Sequence, residues 1–198
     1  MNDLGDRGSG ELLDQGLDFL GAVIGRLGPD DWERPTPCAG WTARDLAGHV
    51  ATSTRVAISS MLGQPPAFPD VARPGDLVDG DPAEFWQATA AEARDVLRRA
   101  DLTLPTNSPL GSTVADDLAI PVIDLYVHAW DLGVTIGADV EIPADVIAYA
   151  HAYLDPLPYE LLRGENRAFA APAAAPADAS PTERFIAWTG RQLTQGVP

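Results

Sequence analysis

Apolar residues recur at intervals of three and four positions near the start of the chain, at Leu13, Leu17, Leu20, Ile24 and Leu27. Because an α-helix has about 3.6 residues per turn, this spacing places their side chains on one face. The pattern predicts a first helix that starts near Leu12 and is buried along one side. Gly28-Pro29 is expected to end it.

A second helix is predicted from about Ala43 to Leu62. Thr42 stands three residues before Asp45, an acidic form of the capping box, in which each side chain bonds the backbone N–H of the other residue. Apolar residues then recur on one side until a glycine and two prolines stop the helix. The following residues 65–80, rich in proline, glycine and aspartate, predict a long loop.

Two further long helices are predicted in the middle of the chain. Asp81 caps a helix over residues 82–100, whose first residue is a proline that the first turn of a helix tolerates. The fourth helix begins at residue 112 or 113 and runs to Ile136. Pro121 lies inside this pattern, so the fourth helix is either kinked there or begins later.

The remainder of the chain predicts two shorter helices. Pro143 opens one that reaches Leu154. Residues 170–179 alternate small residues with proline, and they predict a surface linker because they offer too little apolar surface for a core. A second capping box, Ser180 to Glu183, precedes a helix that is expected to dock on the rest of the protein.

The helical spacing, without any alternation of period two, predicts an all-α fold. We expect a four-helix bundle with short additional helices at the C-terminus. Residues 1–155 are expected to form the bundle, and residues 156–198 a C-terminal extension made of the linker and the docked helix.

The charge of the chain narrows the classes of partner. Thirteen arginines and no lysine stand against 29 acidic residues among 198, which gives a net charge of −16. Such a charge repels phosphate backbones and anionic lipid surfaces, so we expect neither nucleic-acid nor membrane binding.

The N-terminal stretch predicts no signal peptide, because no basic region precedes an apolar run. No segment reaches the roughly 18 apolar residues that a membrane span needs. A single cysteine, Cys38, excludes an internal disulfide, which is typical of a reducing compartment. We therefore expect a cytoplasmic protein, and the sequence leaves open whether it forms a homodimer.

Asp124 and His128 lie four residues apart in an apolar segment, so on a helix their Cβ atoms are about 5–6 Å apart. His49, on the second helix, converges with them if the two helix faces meet. Two imidazoles and a carboxylate with a free fourth position form the ligand set of a catalytic zinc site, and iron or nickel suits the same donors. The alternative is a set of hydrogen-bonded core residues, and the residues alone leave both interpretations open.

Three other side chains have two interpretations each. Asp131 either orients a histidine ligand or is solvated. Cys38 is either a thiolate activated by the start of the second helix or an inert buried thiol, and we favour the inert thiol. His151, on the short fifth helix, is expected at the surface.

Aromatic and basic residues beside the two histidine motifs also allow two interpretations. Trp41 and Trp130 either line a substrate pocket or pack in the core, and we favour core packing. Arg44 and Arg55 either meet an anionic substrate or serve solubility, and we favour solubility. We identify no second catalytic residue.

Two motifs carry a resemblance to a known family. They are residues 36–49 (TPCAGWTARDLAGH) and residues 124–132 (DLYVHAWDL). Both resemble the metal-binding domain of the mycothiol-dependent maleylpyruvate isomerase family, which belongs to the DinB-like superfamily of four-helix bundles. The resemblance extends over most of residues 10–155 and implies this fold.

The resemblance also implies a ligand set. His49 matches the histidine ligand of the second helix, Asp124 the acidic ligand and His128 the second histidine of the fourth helix. The isomerase has a glutamate at the position of Asp124, and a shorter carboxylate still binds metal. The isomerase also carries a separate C-terminal domain, for which this chain has too few residues after Leu154.

The chemistry implied by the family is that of a zinc ion and a small thiol such as mycothiol. The thiolate would add to an unsaturated acid, as in an isomerase, or displace a leaving group from a small electrophile, as in an S-transferase. The alternative is a non-catalytic module of the same fold that binds metal or a small ligand and has a regulatory or stress-related role.

Overall fold

A computed structural model describes residues 8–106, 111–164 and 168–193. The stretch 1–7, where the sequence predicts no signal peptide, lies outside these ranges. The α-helices of the described ranges are α1 (Ser9–Ile24), α2 (Ala43–Met61), α3 (Pro82–Leu97), α4 (Val114–Asp117), α5 (Ala119–Thr135), α6 (Ala144–Leu154), α7 (Tyr159–Leu162) and α8 (Pro181–Trp188). Pro29–Glu33 and Pro74–Leu77 form short 3₁₀ helices.

Helices α1, α2, α3 and α5 form the bundle, so the predicted all-α fold is confirmed. α1 packs against α5 and α3, while α2 packs against α3 and α5. The apolar stripe predicted on α1 faces the core, where Leu13, Leu17 and Leu20 are buried. None of the helices in the described ranges is long and apolar enough to cross a membrane.

The N-terminal half of α2 is joined to the loop that precedes α3. The predicted capping box is present, since the Thr42 N–H donates to Asp45 Oδ2 at 2.9 Å and the Asp45 N–H to Thr42 Oγ1 at 3.3 Å. Asp45 also accepts a hydrogen bond from the Gly75 N–H at 3.1 Å and pairs with Arg73. The buried Asp45 carboxylate thus fastens the 3₁₀ helix Pro74–Leu77 onto α2, one turn from His49.

Replacement of Asp45 by asparagine is expected to destabilise the protein by about 2 kcal/mol, because hydrogen bonds to a buried carboxylate are lost. Although burial opposes its charge, hydrogen bonds from Thr42, Arg73 and Gly75 lower the pKa of Asp45 below its ordinary value of 3.8. The carboxylate therefore stabilises the fold above pH about 4, and this contribution disappears as the pH falls through the lowered pKa. Thermal unfolding between pH 7 and 2 checks this.

The exposed Asp79 of the same loop gives the matched control, because Asp79→Asn removes one charge without touching the capping box. Its unfolding midpoint should stay close to that of the wild type at pH 7. An Asp45→Asn protein as stable as Asp79→Asn at pH 7 would contradict the anchoring role.

The fourth long helix predicted from the sequence is divided in two. α4 ends at Asp117, and α5 begins at Ala119, with Pro121 as its third residue. A proline in the first turn leaves no intrahelical hydrogen bond unmade, so the chain starts a new helix there rather than kinking an old one. Of the two predicted outcomes the later start is correct, and it places the whole Asp124 to Asp131 segment on one helix.

The C-terminal helix docks on the rest of the protein as predicted, and it packs against α6. The Ser180 capping box is formed, and Phe185 and Ile186 of α8 are buried. The surface prediction for His151 is only partly right, since its ring lies edge-on to Phe185 and Trp188 at 5.5 and 4.9 Å between centroids. The division of the chain into a bundle and an extension at residue 155 stays a prediction.

Candidate metal centre

His49 on α2 meets Asp124 and His128 on α5 in the seam between the two helices. One potential ligand atom from each residue lies within 4.8 Å of the other two. His49 Nε2 is 3.9 Å from Asp124 Oδ2, and the rings of His49 and His128 meet edge-on with centroids 4.9 Å apart. The structure therefore brings the three sequence-predicted ligands together.

Asp124 is held in place from the opposite helix. Ser53 Oγ donates to Asp124 Oδ2 at 2.7 Å, and the same contact recurs two turns further along the seam, where Ser60 Oγ donates to Asp117 Oδ2 at 2.7 Å. Ser53 is not among the residues predicted for the site, although its position one turn after His49 is a usable signal. Ser60 and Asp117 form the same kind of hydrogen bond as Ser53 and Asp124. Neither Ser60 nor Asp117 belongs to a group of potential metal ligands among the described residues.

His128 is oriented by Asp131. Its Nδ1 lies 2.8 Å from Asp131 Oδ2, and the Asp131 side chain is 0% exposed. The orienting role predicted for Asp131 is thus confirmed, and the solvated alternative is wrong. Because Nδ1 is occupied by this hydrogen bond, Nε2 is the nitrogen with which His128 can bind a metal.

Asp131 is in turn clamped by an arginine from the far end of the chain. Arg191 donates from Nε to Asp131 Oδ1 and from Nη2 to Oδ2, both at 2.7 Å, and its side chain is only 12% exposed. Arg191 is not among the residues predicted for the site, because it lies 60 residues from its partner and outside any motif. The docking of α8 and the turn at Gly190 bring it to the site.

Cys38 adjoins the buried side of His128. Its sulfur donates to Asp131 Oδ2 at 3.4 Å and lies 4.0 Å from His128 Nδ1 and 3.7 Å from Arg191 Nη2. Cys38 is half-buried rather than buried, so that part of the prediction is wrong.

Cys38, His128 and Asp131 form a second group whose potential ligand atoms lie within 4.8 Å of one another. A cation fits poorly there, because Arg191 already binds both oxygens of Asp131 and brings a positive charge next to the sulfur. His49, Asp124 and His128 are therefore the better candidate for a metal centre.

The two histidines of this cluster, His49 and His128, differ in charge at neutral pH. Burial, and then the positive charge of His128, lower the pKa of His49 to about 4, so at neutral pH His49 is uncharged and has a free lone pair. Burial also opposes a charge on His128, but hydrogen bonds with Asp131 and Cys38 outweigh it and raise its pKa to about 10. Asp131 is kept ionised because Arg191 and His128 hold its pKa below the ordinary value in spite of burial.

The aromatic residues beside the motifs pack against the core, as predicted, and one of them also borders the site. Trp41 and Trp130 are both half-buried and pack against the core. The Trp41 ring lies 4.9 Å from the His49 ring, between centroids, so it forms one wall of the site.

The two candidate arginines of α2 bind within the chain. Arg44 donates to the carbonyl oxygens of Val78 and Gly80, which helps to hold the loop before α3. Arg55 lies over the Phe85 ring, 5.0 Å from its centroid. Arg44 thus fastens the loop, a contact that neither predicted role includes.

The chain is similar in sequence to two proteins of Mycobacterium tuberculosis. An uncharacterized protein of Mycobacterium tuberculosis is 29% identical over 184 residues, which cover 89% of this chain and 93% of the relative. A second uncharacterized protein of Mycobacterium tuberculosis is 31% identical over 80 residues, which cover 38% of this chain and 31% of that protein.

A solved structure shares the fold. The crystal structure of the mycothiol-dependent maleylpyruvate isomerase superposes with a TM-score of 0.58 over 75% of this chain and 70% of that chain, at 17% sequence identity. Residues 13–133, more than half of the chain, match the family described as the mycothiol maleylpyruvate isomerase N-terminal domain. The resemblance carried by residues 36–49 and 124–132 is thus confirmed, and the chain belongs to this family.

Proposed function

We propose that the protein binds one divalent metal ion through His49, Asp124 and His128, and that this ion is zinc. The observation that carries the proposal is the convergence of two imidazoles and a carboxylate from α2 and α5. This donor set is typical of catalytic zinc sites, in which the fourth position stays open. Iron and nickel suit the same donors and are the alternatives.

The distances within the cluster fit such an ion. Ligand atoms of a tetrahedral zinc site, with bonds of about 2.0–2.2 Å, lie about 3.4 Å apart. The potential ligand atoms here lie within 4.8 Å of one another, and His49 Nε2 and Asp124 Oδ2 are 3.9 Å apart. His49 and Asp124, both partly exposed, would have to approach each other by about 0.5 Å to bind the same ion.

Each proposed ligand contacts a neighbouring side chain that holds it in position. Ser53 fixes one oxygen of Asp124, Asp131 fixes the His128 ring, and Trp41 packs beside His49. Outer partners of this kind orient ligands and commonly change metal affinity by about 10–100-fold. His49 is uncharged at neutral pH, whereas His128 has to release its Nε2 proton on binding, so uptake of the metal should release a proton.

The second part of the proposal is a small thiol as co-substrate, because the structural relative is a mycothiol-dependent enzyme. A bound divalent ion would lower the pKa of a coordinated thiol and so supply a nucleophile at neutral pH. The side chains of His49 and Asp124 are 33% and 22% exposed, against 8% for His128, so small molecules would approach from the His49 side. The reaction would then be a thiol-dependent isomerisation or S-transfer.

Replacement of Asp124 by asparagine tests the metal site, with Asp117→Asn as matched control. Both aspartates accept a hydrogen bond from a serine of α2 at 2.7 Å, but only Asp124 lies beside the two histidines. Metal content after purification without chelator is expected to be near one ion per chain in the wild type and in Asp117→Asn. We expect it to fall well below that in Asp124→Asn, and equal metal content in the two variants would contradict the proposal.

Cobalt substitution tests the thiol. Addition of mycothiol or another small thiol to the Co²⁺-loaded protein should produce a sulfur-to-cobalt charge-transfer band. The Asp124→Asn protein, treated with the same cobalt and thiol, should not develop the band. If no thiol produces the band in a wild type that binds cobalt, the protein is a metal-binding module without thiol chemistry.

A further inference from the structure

We infer that Arg191, in the C-terminal extension, is a positioning residue for the proposed metal ligand His128, acting through Asp131. The docking of the extension and the binding of metal are then coupled. The inference rests on the proposed metal site and goes beyond it, because it gives residues after the bundle a part in that site.

The contacts form one continuous chain from the extension to the ligand. Both oxygens of Asp131 accept hydrogen bonds from Arg191, and Oδ2 also bonds His128 Nδ1. The fork of Arg191 determines where Asp131 Oδ2 lies, since a bidentate guanidinium–carboxylate pair has a defined geometry. The position of Oδ2 in turn determines the orientation of the His128 ring, with Nδ1 facing Asp131, so that Nε2 is the nitrogen left for the metal.

Removal of Arg191 would leave a fully buried carboxylate with too few partners. Asp131 is 0% exposed and cannot exchange the lost hydrogen bonds for water without rearrangement. A buried carboxylate that loses its bidentate partner is no longer held in one position. The hydrogen bond that orients His128 then changes, so the effect reaches the metal ligand.

The turn at Gly190 directs the Arg191 side chain toward Asp131. Gly190 ends α8 with a φ of 95°, and hydrogen bonds Gly190 N–H to Ala187 O and Arg191 N–H to Ile186 O form a Schellman turn. A Cβ atom on Gly190 would lie 2.7 Å from Ala170 Cβ and 3.0 Å from the Ala170 backbone. The glycine therefore allows both the reversal of the chain and its close approach to the linker.

Coupling between the extension and the metal is reciprocal by thermodynamic necessity. If a docked Arg191 strengthens metal binding, bound metal must strengthen the docking of the extension by the same factor. A buried ion pair that only supported the fold would give no such dependence on metal. This reciprocity separates a positioning role from a structural one.

The first test measures the affinity for Zn²⁺ by competition with a chelating dye in Arg191→Gln, Arg191→Lys and Arg184→Gln. Arg184 is the control, because it is an exposed arginine of α8 that bonds the Ala179 carbonyl. We expect affinity to fall about 10–100-fold in Arg191→Gln, the range typical of outer partners of a metal ligand. Arg191→Lys, which keeps the charge but not the fork, should lose less, and Arg184→Gln should match the wild type.

The spectrum of bound Co²⁺ supplies a readout that loss of stability alone does not move. The ligand-field bands should shift in Arg191→Gln and return toward the wild type in Arg191→Lys. Equal affinities and unchanged bands in all three variants would overturn the inference while leaving the metal site intact. A wild type without metal would instead overturn the proposed function itself.

The second test uses the wild type alone and so does not depend on variants that fold. Hydrogen–deuterium exchange is compared with and without Zn²⁺ in peptides covering residues 181–193. Slower exchange in these peptides on metal binding is expected, together with slower exchange in α2 and α5. Protection confined to α2 and α5 would contradict the coupling.

Discussion

Replacement of His128 by alanine is expected to weaken zinc binding by more than about 100-fold, beyond the range for residues that only support a ligand. Nε2 of His128 is one of the three proposed donors, and the side chain is 8% exposed, so water cannot easily take its place. The substitution also removes a hydrogen bond from the buried Asp131 and leaves a cavity. Together these effects should destabilise the protein by about 2–4 kcal/mol.

The measurement is a zinc titration followed by thermal unfolding with and without metal. Zinc should raise the unfolding temperature of the wild type, because a ligand that binds only the native state stabilises it, and should leave that of His128→Ala unchanged. His151→Ala is the control, since this partly exposed histidine lies outside the cluster. The account fails if zinc stabilises His128→Ala as much as His151→Ala.

Replacement of Gly48 by alanine is expected to destabilise the protein by about 3 kcal/mol or more. In an ordinary helix interior alanine is more favourable than glycine by about 1 kcal/mol. Here the added Cβ would lie 2.0 Å from the Pro74 carbonyl oxygen and 2.5 Å from its carbon, both backbone atoms that no rotamer change can move. The close contact outweighs the helix propensity of alanine, so the substitution destabilises the protein instead of stabilising it.

The loop before α3 would be displaced in Gly48→Ala, and the packing of this loop on α2 beside His49 would be lost. Chemical denaturation measures the lost stability, and zinc affinity should fall with it. Gly21→Ala on α1 is the matched control, because its Cβ would approach only the Trp86 side chain, at 3.3 Å from Nε1 and 3.8 Å from Cδ1. A Gly48→Ala protein at least as stable as Gly21→Ala would show that the loop does not pack on α2 in this way.

Much of the bundle follows from local sequence signals. The stripe of leucines predicts the buried face of α1, and the Thr42 and Ser180 capping boxes predict the starts of α2 and α8. The spacing of Asp124 and His128 predicts two side chains on one face of a helix. These features depend on residues a few positions apart, which is why a single sequence contains them.

The supporting contacts of the site depend on residues far apart in the chain. The spacing of Asp124 and His128 left open a pair of metal ligands or a core hydrogen bond, and it did not indicate that His128 bonds Asp131 and Asp124 bonds Ser53. The choice between these partners depends on how α2 lies against α5. The role of Arg191 depends further on where α8 docks, which neither charge nor periodicity determines.

Anomalous diffraction at the zinc edge, from crystals of the protein grown with Zn²⁺, tests the central claim most directly. We expect one strong peak between His49, Asp124 and His128, about 2.0–2.2 Å from the donor atoms. The Cys38, His128 and Asp131 group should show none, because Arg191 stays bound to Asp131. A peak at Cys38, or no peak near the two histidines in a crystal grown with excess Zn²⁺, would contradict the proposed metal centre.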